Sequence, residues 1–156
     1  MAEKWAKRFV WFALIHAVIA AILTVFFIFP PGGEGLDLSR MIAGGSAGTW
    51  VFVGYSMYLI GGFIGLSAWA FIYYVSGEPN DWLSVAHLIL HNLGVIAPLL
   101  IFTAGIQGGT LILQGNPAAV HPTIVWSSVP SGILIGLLAL GTIIGVINIL
   151  ITLLRK

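Results

Sequence analysis

The chain has 156 residues, of which 59% are hydrophobic and only 7% charged, with a formal net charge of +1. Soluble domains carry roughly 25% charged residues, so this sequence cannot clothe a water-facing surface and is expected to be an integral membrane protein. Its six basic residues sit at the chain ends and in one loop, which makes no groove for nucleic acid, and the lack of cysteine excludes disulfides, thiolate-held iron–sulfur clusters and a CxxCH haem attachment.

No charge occurs in residues 9–33, 41–77 or 82–154. A span takes about 20 apolar residues, so these stretches predict four. The expected fold is all-α, a four-helix transmembrane bundle forming one domain over residues 1–156, with helices near 9–29, 50–75, 82–106 and 131–154. Such a bundle satisfies every backbone polar group internally, as a lipid bilayer demands.

The N-terminal segment MAEKWAKR is short and basic, with Trp5 and Trp11 suited to the headgroup belt. The apolar run behind it is too long for a signal core and ends in Phe29-Pro30-Pro31, so it reads as a retained anchor. Lys4, Lys7 and Arg8 at one end, with Arg155 and Lys156 at the other, predict a multi-pass protein of the cell membrane with both termini cytoplasmic. In the first helix, Ala13, Ala17, Ala20 and Thr24 form a small-residue stripe beside His16, suited to close helix contact.

Loop 30–49 holds Glu34, Asp37 and Arg40, with Asp37–Arg40 as a candidate ion pair. Its Gly-Gly-Ser-Ala-Gly piece lacks the Lys-Ser/Thr ending of a phosphate loop, so it is read as a turn into the second helix, with Ser46 or Thr49 as the cap. The second helix is rich in glycine and aromatics, including Gly54, Tyr55, Tyr58, Gly61, Gly62, Gly65, Trp69 and Tyr73. Gly61 and Gly65 form a GxxxG, which serves either as a groove for another helix or as bare backbone against which a porphyrin or quinone ring lies.

The third helix carries His87 and His91 on one face, together with Ser84, Gly94, Pro98 and Gly105. Pro98 cannot donate a hydrogen bond to Gly94, so a kink is expected there. Residues 107–130 are uncharged, contain Pro117, Pro122 and Pro130, and are read as a loop in which His121 has no special role. On the fourth helix Gly141, Gly145, Asn148 and Thr152 share one arc, with Gly132 and Gly136 nearly opposite, so this helix is expected to meet different neighbours in its two halves.

Helices one and three start on the same side. At 1.5 Å per residue, His16 lies about 10 Å in from Phe9, with His87 about 7 Å and His91 about 13 Å in from Trp82. Ionisable side chains in spans face a bundle interior or a cofactor, so these three are the candidate site. His16 with His87 or His91 would make a bis-imidazole b-type haem site, and Tyr55 or Tyr58 would bond a propionate or quinone oxygen. A copper or zinc site on His16, His87 and His91 is the metal alternative. Imidazoles that simply bridge helices are the plain alternative. With no Asp, Glu, Lys or Arg inside the spans, an ion pump or a Ser-His-Asp hydrolase lacks its parts, and no catalytic residue is assigned.

Residues 39–62, SRMIAGGSAGTWVFVGYSMYLIGG, and 86–95, AHLILHNLGV, resemble small four-helix membrane proteins associated with archaeal haem–copper terminal oxidases. The resemblance implies a respiratory-chain setting, as subunit or neighbour of such an oxidase, and assigns no ligand. His91-Asn92-Leu93-Gly94 is also similar to the His-Arg-x-x-Gly pattern of compact haem A synthases. Here Asn92 replaces the arginine, the Glu-x-x-x-His is missing, and the fourth helix has no histidine. The sequence thus points to a small subunit of a membrane redox complex, binding haem b or quinone through His16, His87 and His91 beside Tyr55, Tyr58, Gly61 and Gly65. Its rivals are a cofactor-free accessory subunit docking a larger membrane complex through helices two and four, and a haem-modifying enzyme.

Overall fold

Among the described residues the charge-free stretches are helix almost throughout, and there is no strand. The computed structural model describes residues 2–25 and 45–155. In chain order these form α1 (Ala2–Leu23), α2 (Ser46–Tyr58), a π-helical turn (Leu59–Gly65), α3 (Leu66–Ser76), α4 (Asp81–Gly94), α5 (Ile96–Leu113), a 3-10 turn (Pro117–Ala119) and α6 (Val120–Leu154). Joined end to end they make four helical segments long and apolar enough to cross a membrane: Glu3–Leu23, Ala47–Ser76, Asp81–Leu113 and Pro117–Leu154. Glu34, Asp37 and Arg40, the Asp37–Arg40 pair and the end of the first helix beyond residue 25 lie outside the described residues.

The third segment bends where proline requires it. α4 stops at Gly94, Val95 takes φ −67° and ψ −11°, and α5 resumes at Ile96, with Pro98 unable to bond back to Gly94. Residues 107–130, expected as a loop, are mostly helix instead. α5 runs to Leu113 and closes with Gly115 at φ +74°, where Gly115 N–H bonds the Ile112 carbonyl and Asn116 N–H the Leu111 carbonyl. That is a Schellman turn needing a left-handed residue, which glycine supplies. Pro117 then sits in the first turn of the new helix, where its missing N–H costs nothing, and Pro130 lies inside α6. Proline and glycine here mark a two-helix corner rather than a loop. At the start of α2 the cap is Gly45, without a side-chain cap, and Thr49 Oγ1 donates back to the Gly45 carbonyl.

Close approaches are made at glycines. A Cβ on Gly54 would meet the Pro98 carbonyl and the Phe102 backbone, and one on Gly105 the backbone of Val51, so α2 and α5 touch main chain to main chain. α1 lies on α3 through Phe9, Ala13 and Leu66, and its expected stripe is buried at Ala13 and Ala20. α4 packs on α6 at Gly141 and Gly145, where the predicted arc with Asn148 and Thr152 is buried.

The start of α1, the last turns of α6 and the turn before α4 lie at one end of the bundle. Asn80 caps α4 by accepting from Trp82 and Leu83 N–H, and its own N–H donates to Asn148 Oδ1 at 2.9 Å. Asp81 accepts from Lys4 at 3.2 Å and from the Trp5 indole. Trp5, placed by its sequence position in the headgroup belt, is only 1% exposed and belongs to the buried cluster that holds Phe9 and Tyr73. Trp11 remains outward-facing. Asp81→Ala should therefore speed amide exchange over residues 3–9 and leave the exchange of α4 and α6 interiors unchanged. Uniform exchange across all three would show that the clamp does not hold α1.

Candidate functional site

The histidines occupy two tiers. His16 lies level with Asn92, one residue beyond His91, and bonds its Oδ1 through Nε2 at 3.0 Å. His87 lies level with Phe9, ring centroids 5.0 Å apart, which is about 10 Å along α1 from His16. The common depth read from the sequence thus holds for His16 and His91, while His87 sits lower. His87 sits lower because α1 begins at Ala2 rather than at Phe9, which shifts its register against α4.

The upper tier forms on the π-helical turn. The lower propensity of paired glycines lets the helix widen at Leu59–Gly65, and the Gly61 carbonyl turns to accept from His91 Nε2 at 3.0 Å. The hydroxyl of Tyr58, one residue before the turn, lies 2.7 Å from His16 Nδ1. A Cβ on Gly62 would come within 3.1 Å of His16, and one on Gly65 within 3.6 Å of His91 Nε2. The glycines therefore do provide bare backbone to flat rings, and the rings against it are the chain's own imidazoles. Gly61 faces Val95 at 3.5 Å. Tyr55 stands apart from the histidines; its hydroxyl bonds Thr24.

The lower tier is a buried polar cluster. His87 Nδ1 lies 3.1 Å from the Tyr73 hydroxyl. Asn148 donates through Nδ2 to Tyr73 at 3.3 Å, to Ser84 Oγ at 2.9 Å and to the Asn80 carbonyl at 3.2 Å. Around His87 stand Phe9, Trp69 at 4.3 Å edge-on, and Gly145, whose missing side chain leaves room for the imidazole. His87, Tyr73, Ser84 and Asn148 are all fully buried. Tyr73, Asn92 and Asn148 are the site residues that the sequence did not single out as a set. Their signal was available: each is a polar side chain within an apolar helix, where an unpartnered group is costly.

Of the six imidazole nitrogens on His16, His87 and His91, both of His16 and one each of the others have partners in the chain. His87 Nε2 and His91 Nδ1 have none. Among the described residues no three His, Asp or Glu side chains are gathered as a metal-ligand set, so the three imidazoles are neighbours that do not converge on one point. His121 is exposed at the start of α6, away from them. What fold and site define is an all-helical bundle able to cross a membrane, with a seam of paired tyrosines and histidines in its interior. No protein-family model matches the chain, and no curated protein or solved structure is significantly similar to it.

Proposed function

We propose that this protein is a small multi-pass subunit of a membrane redox complex of the terminal-oxidase type, with both termini cytoplasmic. Four apolar segments and the basic chain ends support the membrane placement. The respiratory setting is supported by the resemblance in residues 39–62 and 86–95. The observation that carries a cofactor role is the meeting of His16 and His91, from separate helices, on the bare backbone of Gly61, Gly62 and Gly65. These two would hold a b-type haem or a quinone headgroup, exchanging their present bonds to Asn92 and Gly61 for the cofactor, with Tyr58 as an adjacent hydroxyl. A bound haem or quinone would supply one-electron transfer; the chain's part is to position it and exclude water.

A second reading, a cofactor-free accessory subunit, is favoured by the partners already found inside the chain for four of the six ring nitrogens. Its docking faces would be the second and fourth segments, where Gly132 and Gly136 have nothing within 4 Å. A reduced-minus-oxidised spectrum with a pyridine haemochrome assay separates the two. On the first reading the purified protein shows a Soret band that sharpens with dithionite, and His16→Ala and His91→Ala each abolish it. Absorbance surviving both substitutions would overturn the ligand pair. A colourless, folded sample that copurifies with an oxidase, and yields no quinone on extraction, would leave the accessory role.

A further inference from the structure

Donors and acceptors assign the tautomers of His87 and His91. The Gly61 carbonyl can only accept, so His91 Nε2 carries the proton and Nδ1 holds a lone pair. The Tyr73 oxygen receives an N–H from Asn148 and needs an acceptor for its own proton. Ser84 Oγ is already engaged by Asn148 and the Asn80 carbonyl, and an imidazole nitrogen is the better acceptor for a phenol. Tyr73 therefore donates to His87 Nδ1, and His87 carries its proton on Nε2.

This leaves one buried donor and one buried acceptor facing the same need. His87 Nε2–H and His91 Nδ1 are each without a partner in the chain. Their rings are neighbours, with centroids 5.7 Å apart and planes at 65°, and residues four apart share a helix face. Buried polar groups of this kind are ordinarily satisfied by protein or by an ordered water. A single water that accepts from one ring and donates to the other would satisfy both.

We propose that one water molecule binds between His87 and His91 and passes protons between them. An excess proton on His87 leaves from Nε2 to the water, which delivers one of its own protons to His91 Nδ1. His87 is left neutral with its remaining proton on Nδ1, where the Tyr73 oxygen accepts it; His91 becomes the imidazolium, the water is regenerated and no electron moves. The exchange joins the lower polar cluster to the upper tier, about 15 Å along the helix from Asp81. It is a proton-handling site in its own right and requires no redox cofactor.

The test is magic-angle-spinning nuclear magnetic resonance on the full chain in lipid vesicles, with histidine nitrogens labelled. Both residues should give neutral Nε2–H spectra, and magnetisation should pass from water to both rings. Tyr73→Phe removes the hydrogen bond accepted by His87 Nδ1, so the resonance of that nitrogen should move toward the value of an unbonded lone pair while the water contact at both rings persists. Absence of water transfer to either ring, or His91 protonated on Nδ1, would overturn the proposal. So would a His87 spectrum that Tyr73→Phe leaves unchanged. Because the vesicles hold this chain alone, failure here is separate from failure of the haem or quinone reading.

Discussion

Gly94→Ala should destabilise the isolated bundle by about 2–3 kcal/mol, the upper part of the usual range for overpacking. The added Cβ would lie 2.7 Å from the backbone N and Cα of Leu138, and main chain cannot step aside as a flexible side chain can. The penalty falls at the kink, where α4 has just ended and α5 begins, so relief by sliding one helix would disturb the bonds of His91 and Asn92. Gly136→Ala is the control. Nothing lies within 4 Å of that position, and alanine favours helix by up to about 1 kcal/mol, so stability should hold or rise. Unfolding midpoints of the purified protein in detergent decide the matter. Equal effects at the two positions would mean that α4 and α6 do not meet at Gly94. If α6 docks a partner through Gly132 and Gly136, the harmless change should also weaken assembly with that partner.

Asn148→Leu should cost about 2–4 kcal/mol. The replacement is close in volume, so little of the loss comes from packing. What goes is a hub of four hydrogen bonds tying α6 to Asn80 at the end of the bundle and to the buried Ser84 and Tyr73. Bonds between helices in a bilayer contribute on average about 0.6 kcal/mol each, with a maximum near 1.7, and a buried group left without a partner adds its own desolvation cost. Ser84→Ala removes only one of these contacts and should cost about 1 kcal/mol. Reversible unfolding of the variants measures both. A loss below about 0.5 kcal/mol for Asn148→Leu would show that water already competes for the cluster.

Parts of the site were legible before any fold was known. His87 and His91 fall on one helix face by periodicity alone, and Gly145 and Asn148 share an arc for the same reason, so their burial on facing helices followed. The partners did not follow. Tyr58 reaches His16 across 42 residues and Asn148 reaches Tyr73 across 75, and no local pattern encodes such pairings. The π-helical turn was equally hidden: Gly61-Gly62 signals a weak helix, but only the imidazole bonded to the Gly61 carbonyl accounts for a widened turn in that place.

By itself the sequence determined how many long helices form among the described residues and where the third one bends, because lack of charge and the chemistry of proline act within a single segment. It did not determine that residues 107–130 turn a tight corner, since Gly115 and Pro117 suit a loop and a helix boundary alike. Nor did it determine which histidine lies at which depth. That depends on the register of α1 against α4, which is set by Trp5 and Lys4 reaching Asp81 and by Phe9 packing on His87. Register is a property of two surfaces in contact, and only the tertiary structure brings both surfaces together.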